Sequence, residues 1–203
     1  MGRIVVTEFV SLDGVMEDPG GAEGFKHAGW TFRFNRGDEG DHFKLDELVT
    51  AEAQLLGRVT YEPFAQAWPT MEDPVGFADK MNAMPKYVVS TTLRDEDATW
   101  TNSTVIRGDV VREIASLKEQ LEGDLLVAGS ATLVQTLVEH RLVDEFRLMV
   151  FPIVLGSGKR LFGDVSAPPT MHLEDVKTIG EGIVILTYRT ANVEADSRPA
   201  AAA

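Results

Sequence analysis

Leu55-Leu56-Gly57-Arg58-Val59-Thr60-Tyr61-Glu62 passes from an apolar strand into a helix with a single glycine between them. Ala53 to Leu56 reads as the strand and Val59 to Ala67 as the helix, which Trp68-Pro69 ends because a residue before proline is pushed out of the α region. At such a junction glycine lets a ligand approach the backbone. Arg58 supplies a fixed cation, and Thr60 falls among the helix N–H groups that have no intrahelical partner. Those groups and the helix dipole attract phosphate.

Two further junctions share this character. Val89-Ser90-Thr91-Thr92-Leu93-Arg94 is a strand end with three hydroxyls followed by an arginine. Val127-Ala128-Gly129-Ser130-Ala131-Thr132-Leu133 again places small residues and hydroxyls at a helix start, with Ser130 in N-cap position. Each has a plainer reading, as a turn with a surface arginine, a solvated strand end, or an ordinary cap. Three of them in one chain point to an extended, multiply charged ligand, and a dinucleotide with an extra ribose phosphate fits better than a mononucleotide.

The rest of the chain supplies the sheet that would carry these junctions. Ile4 to Val10 is a β-branched run that reads as a buried first strand. Glu17 to Gly40 is a long segment rich in glycine and charge, interrupted by Phe25, Trp30, Phe32 and Phe34; a loop of that length with aromatics is expected to be functional. Asp38 or Asp41 is expected to cap a helix with Leu45, Leu48 and Val49 on its inner face. Lys86 to Thr92 and Ser103 to Arg107 read as strands, and Asp109 caps a helix carrying Val110, Ile114, Leu117 and Leu121, stopped by Gly123. Leu125 to Ala128 is an apolar strand, Ser130 opens a helix with Leu133, Leu137 and Val138 inside, and Phe146 to Val154 is a long strand. Met171 to Thr178 and Ile183 to Thr190 form a hairpin through Gly180-Glu181-Gly182. Phe43 and Phe64 are expected in the core. Strands alternating with helices and then following one another indicate a mixed, mainly parallel α/β sheet closed by an antiparallel hairpin. Ligands of such sheets bind beyond the carboxyl ends of the strands.

Composition narrows the function. The 203 residues, with 19 Lys+Arg against 32 Asp+Glu, carry a formal charge of -13, which disfavours nucleic acid and anionic membranes because affinity for a polyanion comes largely from lysine and arginine. No cysteine is present, which excludes a thiol nucleophile or a disulfide framework. His27, His42, His140 and His172 show no i, i+4 pair, so no metal is expected. Gly156-Ser157-Gly158-Lys159-Arg160 departs from the phosphate-loop pattern, with Ile153 and Arg160 at the positions that would be Gly and Ser or Thr. Met1-Gly-Arg-Ile-Val-Val enters a strand without a basic and then apolar leader, so a cytoplasmic protein is expected. One domain is expected over residues 1–190, with 191–203 a frayed tail.

Ser11-Leu12-Asp13-Gly14, the Leu55 to Glu62 stretch, Lys86-Tyr87-Val88-Val89-Ser90, Val127-Ala128-Gly129-Ser130 and Pro152-Ile153-Val154-Leu155-Gly156-Ser157-Gly158-Lys159-Arg160-Leu161-Phe162 occur in that order. Together they resemble the dihydrofolate reductase-like superfamily, and within it the stand-alone relatives of the reductase domain of the riboflavin-biosynthesis deaminase-reductase. The resemblance runs from about Arg3 to Arg189. It implies a three-layer α/β fold with an eight-stranded, mainly parallel sheet, flanking helices, NADPH across the strand ends, and a homodimer formed through the late strands.

By the same resemblance Gly57, Arg58 and Thr60 would hold the cofactor's phosphates, and Ser90, Thr91 and Arg94 would lie toward the adenosine and its 2′-phosphate. Ala128, Gly129, Ser130, Ala131 and Thr132 would face the pyrophosphate and nicotinamide, although the family usually has two glycines where this chain has Ala128-Gly129. Ser11, Asp13 and Gly14 match the loop bordering the nicotinamide, which makes Asp13 one candidate acid. Asp41, sixteen residues before Gly57, lies where dihydrofolate reductases carry the carboxylate that grips the pterin. A carboxylate there can accept paired N–H bonds from an amidine-like ring edge and favour protonation of the reduced imine; alternatively Asp41 is one of several acids at a helix start, with Asp38 and Glu39. Trp30 would wall the substrate lid, and Lys159 or Arg160 would meet a substrate phosphate or simply be solvated turn charges. Arg58, Arg94, Lys159 and Arg160 are expected to form a positive cleft in an acidic surface. The expected activity is NADPH-dependent reduction of a C=N or C=O in a pterin-like or ribosylamino-pyrimidine small molecule. A dinucleotide-binding sensor or carrier without turnover is the alternative.

Overall fold

A computed structural model describes residues 1–191, and the expected tail beyond Ala191 lies outside them. The strands are β1 (Arg3–Ser11), β2 (Ala51–Gly57), β3 (Lys86–Val89), β4 (Ser103–Ile106), β5 (Asp124–Val127), β6 (Glu145–Phe151), β7 (Met171–Ile179) and β8 (Ile183–Thr190). They form one eight-stranded sheet in the order β4-β3-β2-β5-β1-β6-β8-β7. All pairs from β4 to β6 are parallel, and β8 pairs antiparallel with both β6 and β7. This is the expected mixed sheet with a closing hairpin.

Among the described residues five α-helices cover it: α1 (Gly37–Thr50), α2 (Arg58–Ala67), α3 (Phe77–Ala83), α4 (Val110–Gln120) and α5 (Ala131–Glu139). Connections that step toward the β4 edge put α1, α2 and α3 on one face, where Leu48, Tyr61 and Met81 pack with Val5, Leu56, Val88 and Leu126. Connections that step back put α4 and α5 on the other, where Ile114, Leu117, Leu133 and Leu137 pack with Ile4, Val6, Leu55 and Leu125. Right-handed crossovers produce this division. The helix after β1 and the helix after β5 therefore leave on opposite faces of neighbouring strands. That is the switch point at which open α/β sheets bind ligands.

Several local readings change. Asp38 and Asp41 lie inside α1, whose N-cap is Arg36 and whose first N–H is taken by Asn35 Oδ1. Val49 is 59% exposed, so α1 buries a narrower stripe than its leucines suggested. β3 stops at Val89 because Ser90 Oγ accepts the N–H groups of Thr92 and Leu93 and folds the chain into a turn. β6 stops at Phe151, one residue before Pro152, which has no N–H to donate to a ladder. The short helix α3 is absent from the sequence reading; it is held by Asp73, whose carboxylate accepts the N–H groups of Phe77 and Ala78.

The long aromatic segment is tied down and is not a free lid. Trp30 is fully buried, stands edge-on to Phe151 with ring centroids 5.4 Å apart, and donates its Nε1–H to the Glu17 carbonyl at 2.9 Å. The buried Asp18 carboxylate accepts the Phe25 N–H. Trp30 therefore anchors the segment from beneath, because a large ring gains more by burial against Phe151 than by facing a polar ligand.

Candidate active site

β1 pairs with β6 as far as Ser11 but with β5 only from Arg3 to Val6. Beyond Val6 the two neighbours part, and a cleft of about 1030 Å³ opens between them, walled by α1, α2 and the start of α5. Thr7, Glu8 and Phe9 form its β1 side, Gln54 comes from β2, and Leu126 and Ala128 to Thr132 come from β5 and the turn into α5. Met16 to Gly20, Ala22 and Glu23 of the long segment close one end.

At the cleft rim the N-termini of α2 and α5 meet. Gly57 N–H donates to the Gly129 carbonyl at 3.1 Å, and a Cβ on Gly57 would stand 2.3 Å from Ser130 Oγ and 3.0 Å from Ser130 N. Gly129, at φ 95°, lies as close to Thr60: a Cβ there would be 2.6 Å from Thr60 Oγ1. The Gly129-Ser130 peptide is cis. Neither α2 nor α5 has a side-chain cap bond, whereas α4 is capped by Asp109 and α3 is held by Asp73. The first N–H groups of the two cleft helices thus keep their capacity for an anion. A dinucleotide pyrophosphate fits this arrangement in charge, donors and backbone proximity.

The deep wall has the opposite character. Glu47 is almost fully buried; its Oε2 accepts from Thr7 Oγ1 at 2.8 Å and Lys44 Nζ at 2.7 Å, while its Oε1 makes no hydrogen bond and has Arg147 Nη1 at 3.8 Å. Gln54 Oε1 and Glu8 Oε1 are likewise buried without a partner, and Trp68 Nε1 beside them is an unpaired donor. Buried polar atoms are normally satisfied, so four along one cleft without a hydrogen bond leave capacity for a polar ligand. Burial pushes the Glu8 carboxyl up to about 8, against the attraction of Lys44 and the Gly129 N–H. Glu23 is also raised, by burial and by Asp18. Eight acidic residues line the cleft (Glu8, Glu17, Asp18, Glu23, Asp38, Asp41, Glu47, Asp73) against Arg36, Lys44 and Lys159.

The expectation of a positive cleft is corrected by these neighbours. Arg58 pairs with Glu62 at 2.9 Å, Arg94 with Glu96 and Asp97 at 2.7 Å, Lys159 with Glu17 at 3.3 Å, and Arg160 with Asp13. Each of these four cations is met by a carboxylate, and the anion-attracting charge is left to backbone N–H groups.

Of the residues singled out in the sequence, Thr60, Ala128, Gly129, Ser130, Ala131, Thr132, Asp41 and Lys159 line the cleft together, and Gly57 stands directly behind Ser130. Arg58 lies outside it on α2. Ser90, Thr91 and Arg94 lie at the end of β3, two strands away from β5. Asp41 is at the mouth, 63% exposed and paired with Arg36. Ser11, Asp13, Gly14 and Arg160 do not line the cleft; they build the turn beside it. Asp13 accepts from Ser11 Oγ at 2.7 Å and from the N–H groups of Leu155 and Gly156, and these bonds, Ser11 first, hold its carboxyl down to about 2. Arg160 donates to the Asp13 carbonyl. Glu8, Glu47, Gln54 and Lys44 were missed. The available signal was a lone Glu inside β-branched Ile4 to Val10 and a lone Gln inside Ala53 to Leu56, since a polar residue on a buried strand is the informative one.

This sheet, with its two converging helix starts and a cleft at the switch point, defines a dihydrofolate reductase-like fold. An Enterococcus faecalis dihydrofolate reductase solved with NADP(H) superposes with a TM-score of 0.56 at 15% identity, covering 94% of this chain and 97% of that one. A Shewanella structure described as a candidate riboflavin biosynthesis protein gives a TM-score of 0.74 at 20% identity, over 94% and 99% of the two chains. The model of the RibD C-terminal domain matches residues 3–185, and the chain belongs to that family. The Bacillus subtilis protein YyaP, described as uncharacterized, is 30% identical over 189 residues, 92% of this chain and 94% of its own. The family and the fold support a reductase-like role.

Proposed function

We propose that the chain is an NADPH-dependent reductase of a small, nitrogen-rich heterocycle of the pterin or ribosylamino-pyrimidine kind. The observation that carries this reading is the pairing, within one cleft, of two helix N-termini without side-chain caps and a deep acidic wall with unpaired carboxylate and amide oxygens. Ser130, Ala131, Thr132 and Thr60 would hold the pyrophosphate through N–H and hydroxyl donors, and Gly57 and Gly129 let the backbone close around it. Arg58, Ser90, Thr91 and Arg94 would serve the adenosine end and its 2′-phosphate. Bound there, NADPH supplies the hydride. Glu47 and Gln54 would accept N–H bonds from the heterocycle, and Lys44 holds Glu47 in place through its 2.7 Å ion pair. Asp41 would meet the same ring edge at the mouth, and Lys159 a phosphate carried by the substrate. Burial makes those bonds count, because water cannot compete for the acceptors.

The test is a fluorescence titration of the protein with NADPH and with NADH, followed by nicotinamide oxidation in the presence of pterins, ribosylamino-pyrimidines and small carbonyls. Tighter binding of NADPH and its oxidation by a ring of the first two classes are expected. Binding without oxidation by any acceptor would favour a sensor or carrier, and no binding of either nucleotide would defeat both readings.

A further inference from the structure

A reductase must also deliver a proton to the heteroatom of the bond it reduces, and the cleft holds several carboxyl groups. Asp41 is at the exposed mouth in an ion pair with Arg36, and Asp13 is bound into a turn outside the cleft. Glu47 is occupied as an acceptor: its Oε2 takes Lys44 and Thr7, and its Oε1 lies 3.8 Å from Arg147 Nη1. Glu8 differs from all three. It lies at the fork where β1 leaves β5, two residues past their last paired position, with Gly129 beside it and Oε1 buried without a partner. No cation makes contact with its carboxyl group among the described residues; the nearest charges are Lys44 and Glu47 on α1 and Glu23 on the long segment, and the last two disfavour ionisation.

We propose that Glu8 is the proton donor of the reaction, a buried carboxyl group in the cleft wall beside the turn that would receive the nicotinamide. This rests on the reductase reading. Glu8 gives its carboxyl proton to the nitrogen or oxygen of the substrate C=N or C=O as the carbon takes the hydride. The π bond is replaced by one C–H and one N–H or O–H bond, the nicotinamide is oxidised, and Glu8 is left as a carboxylate. Water at the open end of the cleft returns its proton after product leaves. The orphan Oε1 is then the oxygen facing substrate, and a neutral acid explains how it tolerates burial without a cation, since ionisation there would leave a charge buried and unpaired. Its carboxyl, pushed up to about 8 by burial, is protonated at neutral pH and still close enough to ambient pH to release the proton.

The decisive variant is Glu8→Gln, which keeps shape and polarity and removes the proton. Three readings are taken on the full chain. The infrared difference spectrum between wild type and E8Q at pH 7 is expected to show a protonated carboxyl band that titrates near pH 8; a carboxylate at pH 7 would overturn the proposal. NADPH affinity is expected to change by less than threefold while single-turnover hydride transfer falls roughly 100-fold or more and loses its decline above pH 8. E8Q transferring hydride at the wild-type rate would overturn the Glu8 assignment and leave the reductase reading standing. Wild type that binds NADPH and reduces nothing would overturn the reductase reading, and this assignment with it.

Discussion

Gly57→Ala adds one methyl group between the two helix starts, so its effect can be worked from the structure. Gly57 has φ -77° and ψ 154°, values any residue adopts, so the backbone itself is not strained. The new Cβ would stand 2.3 Å from Ser130 Oγ and 3.0 Å from both Ser130 Cβ and Ser130 N. The hydroxyl can rotate away; the Cβ and the backbone N cannot. Ordinary carbon contacts need about 3.5 to 4.0 Å, so the start of α5 must retreat from α2 by about half an ångström to one ångström. Overpacking of this kind costs about 1–3 kcal/mol, which for a chain of this size lowers Tm by about 2 to 12 °C. If both N-termini hold one pyrophosphate, moving them apart weakens a charge-assisted hydrogen bond worth about 1.5–3 kcal/mol. NADPH affinity should then fall roughly 10- to 100-fold. Thermal melting and fluorescence titration on the same sample separate the two effects. A folded G57A protein that binds NADPH as tightly as wild type would refute the shared phosphate site.

Other perturbations report on separate parts of the account. The Glu8 carboxyl is raised from about 4.5 to about 8 in the folded protein, so its contribution to stability is full below about pH 4.5 and is lost as the pH rises through 8. Denaturant unfolding of wild type should therefore weaken relative to E8Q by up to roughly 4 kcal/mol between pH 5 and 9; parallel curves would contradict a neutral Glu8. Asp13 is lowered to about 2, so the stability it contributes is present above its usual range near 3.8 and is lost as the pH falls toward 2. Asp13→Asn, which leaves donors from Ser11, Leu155 and Gly156 weakly met, should cost about 1–3 kcal/mol by denaturant unfolding while sparing NADPH binding; a selective loss of hydride transfer would instead make Asp13 catalytic. Arg58→Ala should weaken NADPH only about three- to tenfold, since Arg58 is half exposed and already shared with Glu62; equal affinity would remove it from the cofactor site.

The layout of the fold was legible because its signals are local. The apolar runs at Ile4, Leu55, Leu125 and Phe146 became β1, β2, β5 and β6, and the helical period of Ile114 and Leu117 became α4. The glycine junctions at Gly57 and Gly129 were legible for the same reason. Other features depended on partners distant in sequence. Trp30 reads as a ligand wall until Phe151, far along the chain, is seen to cover it. The arginines read as a positive cleft until each meets the carboxylate that an acidic chain places beside it. Glu8 was hidden in a strand that is mostly β-branched and apolar, and its meaning comes from the parting of β1 from β5, which no local pattern records.

The central claim is that the N-termini of α2 and α5 together receive a dinucleotide. Backbone amide shifts of the ¹⁵N-labelled protein, followed as NADPH is added, test it residue by residue. The largest changes are expected at Thr60, Ser130, Ala131 and Thr132, with smaller ones near Ser90 and Arg94. Unmoved amides at both helix starts under saturating NADPH, or changes confined to another face of the sheet, would contradict it.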